Sequence, residues 1–162
     1  MSENGRRPLT QGEMTLVTAT FGALALERVR LCAGPGLNPF AEVALGLEDV
    51  SAVTLIRTIF FKGRLADDFS KGPNRALFLH EMTHVWQYQK LGVLRFALRY
   101  LWEFATRGFS REALYDYQPG ETAFADATLE AQAQMVEHYE RGADRALLDR
   151  NLAGSGLYHF QG

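Results

Sequence analysis

The chain has 162 residues, 47% hydrophobic and 22% charged, enough for a single soluble domain with a sizeable core. Its net charge of -2 and scattered basic residues give no field to offset phosphate repulsion, which argues against a nucleic-acid partner. One cysteine, Cys32, excludes an internal disulfide, and there is no run of about 18 apolar residues to span a membrane. The opening "MSENGRRPLTQGEM" is polar and lacks the apolar core of a signal peptide. The default location is therefore the cytoplasm, with export by a route that needs no cleaved signal as the alternative.

Taken in chain order, residues 1–9 read as a disordered leader and residues 10–162 as one domain. Thr10 and Glu13 form a capping-box pair ahead of a helix from residue 11 to about residue 25, with Met14, Val17, Phe21 and Leu24 at helical spacing. "RVRLC" alternates as a half-buried strand does, and "AGPGLNPF" reads as a loop from its four glycines and prolines. "VALGL" reads as a short strand. "VTLIRTIFF", rich in β-branched and aromatic residues, reads as a longer one whose Arg57 suits a sheet edge.

Beyond Asp67 and Asp68, which suit a turn, Pro73 fits the first turn of a helix that Gly92 ends. "VLRFALRYLWEFATRG" predicts an amphipathic helix with Leu94, Leu98, Leu101 and Ala105 toward a core and Gly108 as its stop. After the irregular "SREALYDYQPG" come a helix over about 124–141 and a shorter one over about 144–151. The sum is an α+β class, mostly helical, with a small sheet beside the helix that begins near Pro73.

That helix contains His80-Glu81-Met82-Thr83-His84. Residues four apart lie on one helix face, so His80 and His84 can aim ring nitrogens at a single zinc ion at about 2.0–2.1 Å. Glu81, rotated about 100° from His80, can reach a water on that ion and serve as general base for peptide hydrolysis. The flanking Ala76, Leu77, Leu79, Met82 and Val85 imply that the helix is buried, and buried ionisable groups need partners. The bland alternative is a structural helix whose histidines satisfy buried carbonyls.

A catalytic zinc takes three protein ligands and keeps one position open. His138 and His159 are the remaining histidines, and no histidine follows His84 within a dozen residues, so the three-histidine pattern is absent. A carboxylate from a later helix is the natural third ligand.

In order, "RPLTQGEMTLVTATFGALALERVRL", "FLHEMTHVWQYQ" and "LEAQAQMVEHY" resemble a group of small bacterial proteins labelled "Vgr-related". These are similar in turn to HExxH metallopeptidase domains associated with secretion systems and toxins. The resemblance implies a minimal zincin-like domain of gluzincin type, with zinc as cofactor and Glu130 of "LEAQA" as third ligand. It also implies a peptide or protein substrate, and a place as a secretion-system component. The Glu-x-x-x-Asp of many gluzincins is not matched, because position 134 is Gln134. Glu137 is the competing ligand, with Asp126 and Glu121 behind it.

Tyr117, with Tyr115, lies in the loop before the proposed ligand helix and is the candidate to stabilise an oxyanion. Gln87 could support a ligand histidine, Trp86 suits a core, and His138 suits an exposed helix face. The alternative to a hydrolase is a non-catalytic zincin-like module that binds or assembles with a secretion or contractile apparatus.

Overall fold

The computed structural model describes residues 5–159. Its elements are β1 (Arg6–Arg7), α1 (Gln11–Phe21), β2 (Arg30–Ala33), α2 (Pro39–Leu45), β3 (Ala52–Leu55), β4 (Thr58–Phe61), α3 (Arg75–Leu91), α4 (Val93–Thr106), α5 (Leu129–Arg141) and α6 (Arg145–Leu152). The architecture is α+β and mostly helical, with a four-stranded sheet in the order β1-β2-β4-β3.

The expected leader is part of this sheet from residue 6. Arg6 pairs with Cys32 and Arg7 with Leu31, antiparallel. What holds it is Glu13, fully buried, which accepts two bonds from the Arg7 guanidinium at 2.7 and 2.8 Å and one from the Phe69 amide. The same carboxylate closes the capping box with Thr10 that starts α1. With this many donors converging on one buried carboxylate, the arginine is pinned and the strand with it. Residues 1–4 lie outside the described residues.

Helix α1 stops at Phe21, four residues earlier than expected, because Gly22 turns the chain at φ 76°. "VALGL" is no strand. Asn38 accepts a bond from the Ala41 amide, Pro39 takes the first helical position, and residues 39–45 form α2. The long strand read in "VTLIRTIFF" is a hairpin. β3 and β4 pair antiparallel with Leu55 opposite Thr58, and Ile56 takes the turn at φ 60°. Arg57 therefore sits in the turn, and β3 is the sheet edge opposite β1.

Period-two alternation decides which side of the sheet each residue serves. Leu31, Ile59 and Phe61 join the main core with Phe69, Phe78, Leu79, Met82, Met135 and Leu148. Cys32 and Phe60 point to the other face, into a small cluster beneath Ala41 and Leu45 of α2. Phe61, Phe69 and Phe78 stack in series, with centroids 4.5 and 5.5 Å apart, and so join the sheet to α3.

Helix α4 is turned over relative to expectation. Leu94, Leu98, Leu101 and Ala105 are exposed, and Phe96 is its one buried residue. Polar anchors set this rotation. Arg99 donates to the Ala127 carbonyl and to Glu103, and Glu103 accepts from the Leu129 amide at the start of α5. The charged edge of α4 thus faces the protein and the apolar stripe faces outward.

Candidate metal centre

Helix α5 begins at Leu129 rather than near residue 124, after a 3-10 turn over Phe124–Asp126. Thr128 caps it, accepting from the Ala131 amide while its own hydroxyl donates to the Leu114 carbonyl. Glu130 therefore lies in the first turn of α5, buried, across from the His80 and His84 face of α3. The three residues offer ligand atoms that all lie within 4.8 Å of one another. Glu130 Oε2 is 3.2 Å from His84 Nε2 and 3.6 Å from His80 Nε2, and no hydrogen bond closes on that buried oxygen.

Two imidazole nitrogens converging on a buried carboxylate oxygen that closes no hydrogen bond are a donor set that fits a zinc ion. Burial by itself would lower the pKa of His80, but Glu130 and Glu137 beside it outweigh that and raise it to about 10. His84 is raised by Glu130 against the same opposing burial. Burial works to raise Glu130, yet the two histidines hold it well below the usual carboxylate range. A proton on each imidazole and a metal ion compete for the same nitrogens.

Behind these residues is a supporting layer. Gln87 Oε1 lies 2.9 Å from His84 Nδ1, and Gln87 Nε2 donates to the Leu129 carbonyl and to Gln132 Oε1, each at 2.9 Å. One side chain thus ties the His84 ring to the start of the helix that carries Glu130. Glu137 is not on the ligand side of His80. Its Oε2 lies 2.9 Å from Nδ1, the ring nitrogen turned away from Glu130, at an angle short of a good hydrogen bond. Arg141 holds the other Glu137 oxygen at 2.8 Å, and Glu137 falls to about 2 despite partial burial. Gln134 faces His138, and Glu121 and Asp126 are exposed away from the cluster.

Glu81 is buried beside the cluster, and the Thr54 hydroxyl on β3 donates to its Oε2 at 2.7 Å. A cavity of about 440 Å³ opens over His80, Glu81, His84 and Glu130, walled by β3, the end of α2 and the inner edge of α4. Tyr100 and Tyr115 line it, and the Tyr115 ring stacks on His80 at 6.2 Å. Burial and then the Glu130 carboxylate push both phenols up, so both keep their protons.

Tyr117 is elsewhere. Its hydroxyl lies 2.6 Å from His138 Nδ1 in a separate pocket, because residues 115 and 117 leave the chain in different directions around Asp116. His159 is exposed in the turn Leu157–His159, which packs on α1 and not on the cavity. Thr54 and Tyr100 were not foreseen, since nothing local in "AVTL" or "LRYLW" marks them.

The chain matches the model of the eCIS core domain over residues 8–92, more than half its length, and it belongs to that family. The matched stretch includes His80, Glu81 and His84, while Glu130 and Glu137 lie beyond it. Among solved structures it is similar to the effector domain of Pseudomonas aeruginosa VgrG2b. That likeness has 25% identity and a TM-score of 0.63, covering 94% of this chain and 84% of the other. No curated protein matches it.

Proposed function

We propose that this protein works as a module of a secretion or contractile apparatus, and that His80, Glu81, His84 and Glu130 make it a zinc-dependent peptide-bond hydrolase of gluzincin type. The apparatus half draws on membership of the eCIS core family and on the likeness to a domain described as a VgrG2b effector domain. The catalytic half is carried by one observation: the buried, unpartnered Glu130 Oε2 converges with two imidazole nitrogens while Glu81 is held alongside.

Nε2 of His80, Nε2 of His84 and the Glu130 carboxylate would hold the zinc, which supplies Lewis acidity and an acidified water. Glu81 accepts the proton of the attacking water and returns it to the leaving amine. With Thr54 donating to Oε2, Oε1 is the oxygen left to carry that proton. The protonated hydroxyls of Tyr115 and Tyr100 are donors for the charge that develops on the carbonyl oxygen. β3, at the sheet edge and along the cavity wall, offers main-chain groups to an extended peptide.

The test is metal content and peptide cleavage for the wild type, His80→Ala and Glu81→Gln. The catalytic reading expects about one equivalent of zinc in the wild type and Glu81→Gln, much less in His80→Ala, and cleavage that falls about 10²–10⁴-fold in Glu81→Gln. Zinc below about a tenth of an equivalent, unchanged by His80→Ala, ends it. Zinc retained with cleavage absent from both wild type and Glu81→Gln favours a second reading, a non-catalytic binding or assembly module. The name of the matched family, a core domain, is the observation in favour of that reading.

A further inference from the structure

The cavity over His80 and His84 has an apolar wall that starts beside the ligand set. Gly92, at φ 80°, ends α3 and lets α4 begin at the next residue. Tyr88 and Phe96, on either side of that turn, stack with ring centroids 3.7 Å apart. Tyr100, one turn further along α4, stacks on Phe96 at 6.2 Å. Phe96 in turn meets the His84 ring edge to face at 6.3 Å, so the wall begins at a proposed metal ligand. Ala97 and Leu101 extend it along α4, and Leu47 and Val50 line the cavity from the α2 side.

Charge and volume say what such a wall receives. Among the described residues, Arg111 is the one charged group lining the cavity besides His80, Glu81, His84 and Glu130, and its guanidinium is engaged by Asp49 at 3.3 Å. An acidic side chain against this wall would give up water without finding a free cation, whereas an apolar one leaves water favourably. The cavity volume of about 440 Å³ falls in the range of about 300–1,000 Å³ of sites that enclose a whole small molecule. A phenyl or isobutyl group therefore fits together with its adjoining backbone. Ala97 is the smallest side chain on the α4 wall, and anything larger there takes up that space.

We propose that this wall is a subsite for a large apolar side chain of the bound peptide, leucine or phenylalanine, beside the bond presented to the metal centre, with Ala97 setting its capacity. The proposal rests on the peptidase reading of the same site and adds the class of peptide.

The test presents the full chain with blocked pentapeptides, Gly-Gly-X-Gly-Gly, in which X is phenylalanine, leucine, alanine or aspartate. Cleavage is followed with zinc-loaded protein, and binding by calorimetry with metal-stripped protein. One missing methylene in an apolar pocket costs about 10–200-fold in kcat/KM, so phenylalanine and leucine should exceed alanine and aspartate by about tenfold or more. Ala97→Phe should erase that preference. Leu101→Arg, at a position 62% exposed, should improve the aspartate peptide relative to the phenylalanine one. Leu98→Ala, exposed and off the cavity wall, should leave the preference as it is. An unchanged melting temperature certifies the fold of each variant. Equal handling of the four peptides in cleavage and in binding overturns the subsite, as does a preference that Ala97→Phe and Leu101→Arg both leave intact. Preference in binding without cleavage upholds the subsite and ends the peptidase reading, while cleavage without preference does the reverse. No binding and no cleavage of any peptide overturns both.

Discussion

Gln87→Met is the substitution that most directly probes how α3 and α5 are held together. Methionine has nearly the volume of glutamine, so the site is not emptied, but three buried contacts at 2.9 Å are lost, to His84 Nδ1, the Leu129 carbonyl and Gln132 Oε1. Gln87 is 1% exposed, so water cannot replace them. At about 0.5–1.5 kcal/mol net for each contact, the loss is about 3 kcal/mol. In a chain of this size each kcal/mol moves the melting temperature by about 2–4 °C, so a fall of about 6–12 °C is expected in metal-stripped protein. The His84 ring also loses the group that fixes its orientation, and zinc affinity should drop about 10–100-fold. Thermal melts and zinc competition against a chromogenic chelator measure the two effects. A variant that melts within about 2 °C of wild type and holds zinc as tightly would show that Gln87 does not join the ligand helix to α5.

Tyr115→Phe should lower peptide turnover about tenfold or more with zinc content unchanged, whereas Tyr117→Phe, whose hydroxyl faces His138, should leave turnover alone; steady-state rates on one peptide separate them. The ion-pair cluster also predicts a pH dependence in metal-stripped protein. His80 is raised from 6.5 to about 10, so its contribution is complete below about 6.5 and is lost as pH rises through about 10. Its partner Glu137 is lowered from 4.5 to about 2, so the same interaction is present above 4.5 and is lost as pH falls toward about 2. Urea midpoints across this range should show both declines, and Glu137→Gln should flatten the alkaline one. Zinc affinity should rise over the range in which the His80 proton leaves.

The juxtaposition of His80 and His84 was legible because its information is local. Residues 80, 81 and 84 share a helix whose apolar neighbours announce burial, and helix geometry does the rest. Glu130 came from the resemblance to related proteins, and the structure brings it to within 3.2 Å of His84. What the chain did not disclose was orientation between elements. Tyr115 and Tyr117 read identically until the loop direction is known. Glu137 was a rival ligand by helical phase, yet it approaches His80 from behind. The rotation of α4 was misread because an amphipathic stripe says that a face is apolar without saying what covers it. In α2 the signal was present and overlooked: Asn38 followed by Pro39 is a helix start, and it outweighed the β-leaning "VALGL". Ile56 in a two-residue turn carries no glycine or asparagine to betray it.

The division of the ligand set between α3 and the first turn of α5 has a consequence for how the chain folds. His80 and His84 are brought together by helix formation, an event of about a microsecond that needs only neighbouring residues. Glu130 joins them only after the chain from residue 84 to residue 130 has closed into a loop, with α4 folded inside it. The centre is thus one of the last features to assemble. The matched stretch, residues 8–92, carries His80, Glu81 and His84 but not Glu130. Partial unfolding that frees α5 while sparing α3 dismantles the site without disturbing its motif. If the centre takes zinc as proposed, metal retention reads whether the two ends of that loop have met, and the donor set is incomplete in a newly made or unfolded chain until they do.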